Sequence, residues 1–154
     1  GRMTRFHDAT PQIGALGPKL LFEDDTLQHA GMYFERPVGA AMWKNKHYYK
    51  GFDRRLPAAN VTRRVPAVTG ACLMIARELF LAQGGLRACY VDGDYEDSDL
   101  CLRLSTAGRD NWYLAVCKSD SITPADGLTP PACPGGEWKI SAWKLTRLRV
   151  DVLI

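Results

Sequence analysis

The sequence predicts an α/β domain. Short β-rich stretches are bounded by Gly, Pro and Asp, and one of them, near the middle of the chain, passes directly into a short helical pattern. A second helical pattern, close to residue 100, shows an apolar repeat and is followed by another β-rich stretch. The chain has 154 residues, of which 46% are hydrophobic, so one ordinary domain with a buried core is expected.

The first predicted elements are strands. IGALGPKLLF, which begins at Ile13, reads as a strand entered through small residues. DDTLQHAGMYF then predicts a turn that leads to a second strand. We therefore expect a hairpin or strand pair over residues 13–34.

A basic and aromatic segment, residues 36–64, follows without sustained periodicity. It contains the aromatic residues Trp43, Tyr48, Tyr49 and Phe52 among eight Lys and Arg residues. One interpretation is a solvated loop, because charged runs usually face water. The other is a binding module for an anionic polymer or nucleic acid, with rings that stack and cations that contact phosphates. The modest net charge of +3 argues against a dedicated nucleic-acid binder.

The middle of the chain predicts a strand and then a helix. VPAVTGACLMI, residues 65–75, is β-rich, and ARELFLAQGG after it has the pattern of a short helix that ends at Gly84-Gly85.

A longer helix is predicted to begin near Asp97 and to end at Gly108. Leu100, Cys101, Leu104 and Ala107 lie on one face of a 3.6-residue repeat. NWYLAV, residues 111–116, then predicts a strand.

The composition changes after residue 121. Residues 122–136 are rich in Pro and Gly and predict a linker, whereas residues 137–154 carry Trp and aliphatic residues among Lys and Arg. This last segment could pack on its own domain, on a partner or on a membrane surface as an amphipathic helix. We therefore divide the chain into a domain at 1–121, a linker at 122–136 and a tail at 137–154.

Composition also excludes several classes. No apolar run approaches the roughly 20 residues that a membrane span needs, and the N-terminus lacks the apolar core of a secretory signal. Five cysteines without a C-x-x-C pair argue against a structural zinc site and a disulfide framework. We expect reduced thiols and a cytoplasmic protein.

Five carboxylates lie between residues 92 and 99, at the start of the longer helix: Asp92, Asp94, Glu96, Asp97 and Asp99. Acidic residues in a first helical turn each contribute roughly 0.3–1 kcal/mol through the helix dipole, which accounts for two or three of them. Alternatively, one carboxylate held at a helix start acts as a general base toward a hydroxyl nucleophile. Both interpretations remain open from the residues alone.

Two stretches resemble a known family when they are taken together. VPAVTGACLMIARELFLAQGG followed by YVDGDYEDSDLCLRLSTAG resembles the acceptor-side half of family 2 glycosyltransferases, which are inverting enzymes of the GT-A fold. GALGPKLLFEDDTLQHAGMYF resembles the strand pair that precedes this region, so the resemblance covers about residues 10–117. It implies a partial GT-A-like mixed sheet flanked by helices, without the nucleotide-binding half, which would precede residue 1. The fragment alone would be inactive.

The resemblance also implies residue roles. Asp97 would be the general base, and Glu96 would orient acceptor hydroxyls. Acceptor-binding positions would be Thr69, Gly70, Ala71, Asp99 and Arg103. Because Asp99 and Arg103 are four residues apart on a helix, Arg103 is expected to pair with Asp99 more readily than to touch substrate. Arg63 and Arg64 would contact the donor phosphates.

Partners and cofactors follow from the same resemblance. A nucleotide-sugar donor and a glycan or lipid-linked acceptor are expected, with a divalent metal, Mg or Mn, in the full-length enzyme. Its ligands are not assigned, because Asp92-Gly93-Asp94 is misplaced for the family's Asp-x-Asp and no His follows His47. We expect no nucleic acid, self-association through an exposed sheet edge, and a location in the cytoplasm or peripheral to the inner face of the membrane.

Overall fold

The computed structural model describes residues 1–90 and 95–115 and confirms a mixed α/β architecture. Its helices are α1 (Arg2–Ala9), α2 (Arg77–Ala82), α3 (Glu96–Thr106) and a 3₁₀ turn at Pro57–Asn60. Its strands are β1 (Ile13–Pro18), β2 (Leu20–Leu21), β3 (Leu27–His29), β4 (Met32–Glu35), β5 (Lys44–His47), β6 (Arg63–Arg64) and β7 (Asp110–Leu114). The linker and tail predicted at 122–136 and 137–154 lie outside the described residues.

A mixed three-stranded sheet lies at the centre, in the order β1-β7-β6. Strand β1 runs parallel to β7, from Ile13 opposite Asp110 to Pro18 opposite Leu114, and β6 pairs with β7 antiparallel. Every residue of β1 is buried. This explains why its sequence is small and apolar throughout instead of alternating.

Two antiparallel strand pairs complete the sheet structure. Strands β2 and β3 form a hairpin whose turn is closed by Asp24, which accepts hydrogen bonds from the backbone N–H and hydroxyl of Thr26. This confirms the hairpin predicted over residues 13–34. Strands β4 and β5 form the second pair, with Met32 opposite His47 and Glu35 opposite Lys44. Nothing in the KNKH sequence of β5 predicts a strand, because it lacks β-branched residues and an apolar alternation.

The strand predicted over residues 65–75 is wrong. This segment is an irregular connection that forms two isolated bridges, Ala67 with Met32 and Met74 with Leu16. Pro66 has no N–H to donate to a sheet ladder, and the chain turns at Gly70 and Ala71. The segment is β-rich for another reason, since Val65, Ala67, Val68 and Ile75 are core residues.

The two predicted helices are confirmed. Helix α2 ends where Gly84 and Gly85 adopt φ values of 75° and 66°, and their N–H groups return to carbonyls of the last turn. Helix α3 buries Leu100, Cys101 and Leu104 against the sheet, as the apolar repeat predicts, whereas Ala107, the fourth residue of that repeat, lies just beyond the helix and is exposed. The strand predicted after it is confirmed as β7.

Asn111 joins α3, β1 and the 65–75 connection. Its Oδ1 accepts the N–H of Ala15 at 3.1 Å, and its Nδ2 donates to the carbonyls of Cys101 at 2.9 Å and Pro66 at 3.1 Å. The side chain is 2% exposed, so these bonds replace water entirely. Asn111 therefore fixes the position of α3, and with it the helix start that carries the acidic residues.

None of the helices in the described ranges is both long enough and apolar enough to cross a bilayer.

Candidate functional site

Asp97 lies in the first turn of α3, directly beneath the surface. The residue is 9% exposed, and Gly70, which contacts it from the 65–75 connection, is exposed. Its Oδ2 accepts the backbone N–H of Gly70 at 2.8 Å. Its Oδ1 accepts the N–H of Ser98 at 2.6 Å and the Ser98 hydroxyl at 3.2 Å. A carboxylate held by three donors has a fixed orientation, and about one of its four acceptor positions remains open, on Oδ2.

The small residues at 69–71 are brought against this carboxylate. The Gly70 backbone lies close to the carboxylate, and a Cβ at that position would lie 3.4 Å from the Cβ of Asp97, an ordinary van der Waals contact. The Thr69 hydroxyl accepts the N–H of Ala71 at 3.3 Å and so holds the turn around Gly70. The two motifs that carry the family resemblance are therefore neighbours in space. The acceptor-binding roles of these three residues stay predictions.

Ser98 and Asn45 extend the network and were not found by sequence reasoning. Ser98 is 2% exposed, and its Oγ accepts a hydrogen bond from Asn45 Nδ2 at 2.9 Å. Asn45 belongs to β5, so the β4–β5 hairpin is bonded to the residue beside Asp97. No local signal marks this contact, because 53 residues separate the two partners.

Glu96 begins α3 and is half-buried. Its Oε2 atom is buried and has no hydrogen-bond partner among the described residues. A buried carboxylate oxygen without a donor is costly unless a ligand or water supplies one. This fits the predicted role of Glu96 toward acceptor hydroxyls, which stays a prediction.

Asp99 and Arg103 form the predicted ion pair. Arg103 Nη2 lies 2.8 Å from Asp99 Oδ2, and both side chains are about 15% exposed. The guanidinium also donates to the carbonyls of Gln83 and Gly85, just after α2, and Arg87 contacts the other Asp99 oxygen at 3.5 Å. All of these contacts hold α3 against the end of α2, so the observed geometry gives Arg103 a structural task.

Arg63 and Arg64 lie away from Asp97. Arg63 donates to the carbonyls of Ala58 and Ala30, and its guanidinium lies over the rings of Tyr48, Tyr49 and Tyr113 at 4.9–5.6 Å. These contacts occupy its guanidinium inside the fold.

Arg64 pairs with Asp110 at 3.1 Å and lines an open depression of about 420 Å³. Gly108 and Arg109, just beyond the C-terminal end of α3, line the same depression, whereas Asp97 is at the N-terminal end. The structure does not bring the predicted donor-binding arginines to the carboxylate. Their donor-binding role remains a prediction.

Two of the four aromatic residues of the proposed binding module, Tyr48 and Tyr49, are engaged within the protein. Tyr48 and Tyr49 pack against the core, and the Tyr48 ring lies 4.7 Å from that of Tyr33. Trp43, by contrast, is 61% exposed. A platform of three stacking rings is therefore not present in this segment.

Two histidines form a buried pair next to the central sheet. His29 Nε2 accepts the N–H of Gly31 at 3.3 Å, so neutral His29 carries its proton on Nδ1, which lies 3.0 Å from His47 Nδ1. Burial, with the Lys50 charge as a smaller cause, lowers the pKa of His47 to about 4. Burial, followed by the charges of His47 and Arg63, lowers the pKa of His29 well below its usual value. Both rings are neutral at physiological pH.

The described residues do not fit a metal ion. Within residues 1–90 and 95–115, no three His, Cys, Asp or Glu side chains converge as metal ligands. Asp92 and Asp94 lie outside the described residues. Cys72, Cys89 and Cys101 are free in the described part of the chain, and burial raises the pKa of the Cys101 thiol to about 12.

Comparison with known proteins gives a partial similarity. The chain is 35% identical over 105 residues, 66% of its length, to "Uncharacterized protein y4gI" of Sinorhizobium fredii. It is 34% identical over 108 residues, 64% of its length, to "O-antigen biosynthesis protein RfbC" of Myxococcus xanthus. The matched region covers 11% and 8% of these two proteins, so the chain spans about a tenth of their length.

No family model matches the chain, and no solved structure matches it. The similarity therefore relates the chain to one segment of a much longer protein whose name refers to O-antigen biosynthesis.

Proposed function

We propose that this chain is the acceptor-side part of an inverting glycosyltransferase that acts in polysaccharide biosynthesis. The observation that carries the proposal is the Asp97 carboxylate, oriented by Gly70 and Ser98, with an open acceptor position beside an exposed glycine. The family 2 resemblance of the motifs around Asp97 and Gly70 supports it. The similarity to an O-antigen biosynthesis protein supports the sugar-related role.

The proposed reaction needs one proton acceptor on this part of the chain. The acceptor hydroxyl donates to Asp97 Oδ2, and its oxygen attacks the anomeric carbon of the donor sugar. The bond from that carbon to the phosphate oxygen breaks, and the nucleoside diphosphate leaves with the electron pair. The proton ends on Asp97, and the anomeric configuration inverts because attack and departure occur on opposite faces.

The surroundings of Asp97 suit this role. The carboxylate is bonded to backbone N–H groups and to Ser98, which Asn45 fixes in turn, so it is held before substrate arrives. A base that is already oriented does not pay a reorganisation cost during the reaction. Glu96 begins the same helical turn, and we assign it the orienting role toward a second acceptor hydroxyl that the family resemblance implies.

Substitution of Asp97 in the full gene product that carries this segment tests the proposal. Asp97→Asn removes the base, and we expect sugar transfer to fall by roughly 10²–10⁴-fold while nucleotide-sugar binding is kept. The parent should give product of inverted anomeric configuration, measured by NMR. Near-normal transfer by Asp97→Asn, or product of retained configuration, would reject the assignment.

A further inference from the structure

The β4–β5 hairpin ends in an apolar loop that projects from the protein. The loop, residues 37–43, contains Val38, Met42 and Trp43, whose exposed fractions are 107%, 72% and 61%. At Gly39, an added Cβ would meet no atom within 4 Å. The core of the protein forms without these side chains. An exposed apolar cluster of this kind commonly marks an interaction surface.

Cationic residues flank the loop on both strands. Arg36 lies at the end of β4, and Lys44 and Lys46 lie in β5, all three exposed. Lys46 contacts Glu35 at 3.7 Å, whereas Lys44 forms no ion pair with any described residue. The hairpin end therefore combines an apolar tip with two exposed cations, Arg36 and Lys44.

We propose that loop 37–43 docks on an anionic membrane surface. Trp43, Met42 and Val38 enter the interface between headgroups and acyl chains, and Arg36 and Lys44 contact lipid phosphates. Tryptophan favours this depth because its ring is apolar and its N–H is polar, and basic residues near an anionic leaflet add attraction.

The shape and chemistry of the loop favour a bilayer over other partners. Exposed apolar side chains at a loop tip need a complementary groove on a protein, but a lipid interface accepts them without one. Single-stranded nucleic acid needs several exposed rings, and Tyr48 and Tyr49 are packed against the core. Charge complementarity then selects anionic lipid.

Docking at this loop would bring Asp97 to the membrane. Asn45 of β5 is bonded to Ser98, the residue next to Asp97, so the hairpin and the carboxylate are linked by two hydrogen bonds. If the proposed function holds, on which this step rests, the acceptor is a lipid-linked sugar or lipid phosphate presented at the bilayer surface.

Vesicle co-sedimentation of the full chain tests the docking without any transfer assay. Vesicles of phosphatidylglycerol and phosphatidylcholine in equal parts should bind the protein, and pure phosphatidylcholine should bind it much more weakly. We expect Trp43→Ala to weaken binding about tenfold, because it removes a large apolar side chain from the interface. Lys44→Gln should weaken it about fivefold at low salt and less at high salt.

Phe52→Ala is the matched control. Phe52 is also an aromatic residue, 58% exposed, but it follows β5 at the opposite end of the hairpin, so its removal should leave binding unchanged. The insertion depth of Trp43 is measured by quenching of tryptophan fluorescence with brominated phospholipid. The quenching that belongs to Trp43 is the difference between the parent and Trp43→Phe, and we expect the variant to be quenched clearly less.

Three outcomes would overturn the proposal. Equal binding by the parent and Trp43→Ala would assign any membrane contact to another surface, including residues 137–154. Absence of vesicle binding together with a dimer that Trp43→Ala dissociates would assign the loop to a second copy of the chain. Salt-sensitive binding to single-stranded nucleic acid, again without vesicle binding, would assign it to a polymer.

Vesicle binding without any sugar transfer would leave the docking intact and reject the proposed function alone.

Discussion

His29 and His47 join through their Nδ1 atoms inside the fold, and this contact requires both rings to be neutral. Protonation of His47 would place two N–H donors against each other at 3.0 Å. In the unfolded chain both rings titrate near a pKa of about 6.5. The pair therefore links folding to pH.

We predict that the free energy of unfolding falls as the pH drops from about 6.5 to about 4. In this window the unfolded chain binds protons at His47, whereas the folded chain, with a pKa lowered to about 4, does not. His47→Asn keeps an acceptor for the His29 N–H and removes the titration. Between about pH 7 and about pH 4, urea unfolding should show the parent losing about 2 kcal/mol more than this variant, after allowance for solvent at the half-buried ring. Equal losses would refute the linkage.

Some contacts around Asp97 could be predicted from the sequence, and others could not. The i, i+4 spacing predicted the Asp99–Arg103 pair, because helix geometry is local. The carboxylate itself is bonded to Gly70, 27 residues away, and to Ser98, which is bonded in turn to Asn45 across 53 residues. Only the family resemblance, which set the Thr-Gly-Ala and Glu-Asp motifs side by side, anticipated Gly70. Asn45 had no signal.

At the scale of elements, Arg103 joins α3 to the end of α2. Its guanidinium reaches Asp99 and the carbonyls of Gln83 and Gly85, so one side chain satisfies acceptors on both segments. Helix α2 is six residues long and buries none of them completely, so this contact adds to the packing of Leu79 and Phe80 against the core.

We expect Arg103→Met to lower the free energy of unfolding by about 2–3 kcal/mol, because Asp99 and two carbonyls lose their donor. Arg103→Lys should recover only part of this loss, since an ammonium lacks the planar fork that reaches several acceptors. Denaturant unfolding gives both values. Arg55→Met, which breaks a solvent-exposed pair with Asp53, is the control and should leave stability nearly unchanged. Similar losses for Arg103→Met and Arg55→Met would show that the α2–α3 contact contributes no more to stability than an exposed ion pair.

Gly17 and Gly70 differ in how much room their surroundings leave for a side chain. A Cβ at Gly17 in β1 would lie 2.7 Å from the Cβ of Val68, which is fully buried, whereas one at Gly70 would meet Asp97 at 3.4 Å. We predict that Gly17→Ala destabilises the fold by about 2 kcal/mol or more and that Gly70→Ala changes it by less than about 1 kcal/mol. Thermal or urea unfolding compares them. A larger loss for Gly70→Ala would contradict the packing around Asp97.

Elements with a strong local pattern were predicted from sequence. The apolar repeat located α3 to within two residues at its C-terminal end, and Gly84-Gly85 marked the end of α2. Strand β5 was missed because KNKH gains its place from pairing with β4, not from its own propensity. The 65–75 strand was wrong for the opposite reason. Val65, Ala67 and Val68 are apolar because they are buried in the core, as they would be in a strand, but Pro66 prevents regular pairing.

At the scale of the whole molecule, a mixed sheet positions the start of one helix against a glycine turn. Sequence reasoning anticipated the α/β class, and the family resemblance anticipated the mixed sheet. Neither revealed that Asn111 bonds the helix to the sheet, because a lone buried Asn has no sequence pattern. The same arrangement places the β4–β5 hairpin beside the carboxylate, so the catalytic and membrane proposals concern one end of the protein.

The relative transfer rates of Asp97→Asn and Asp99→Asn, in the full gene product, test the central claim most directly. Both substitutions replace a carboxylate in the first turn of α3 and differ by two positions, so their effects on helix charge are alike. With folding checked by thermal unfolding and donor binding by calorimetry, we predict that Asp97→Asn loses roughly 10²–10⁴-fold in transfer and that Asp99→Asn stays within about tenfold of the parent. Equal rates for the two variants, or a larger loss for Asp99→Asn, would contradict the account.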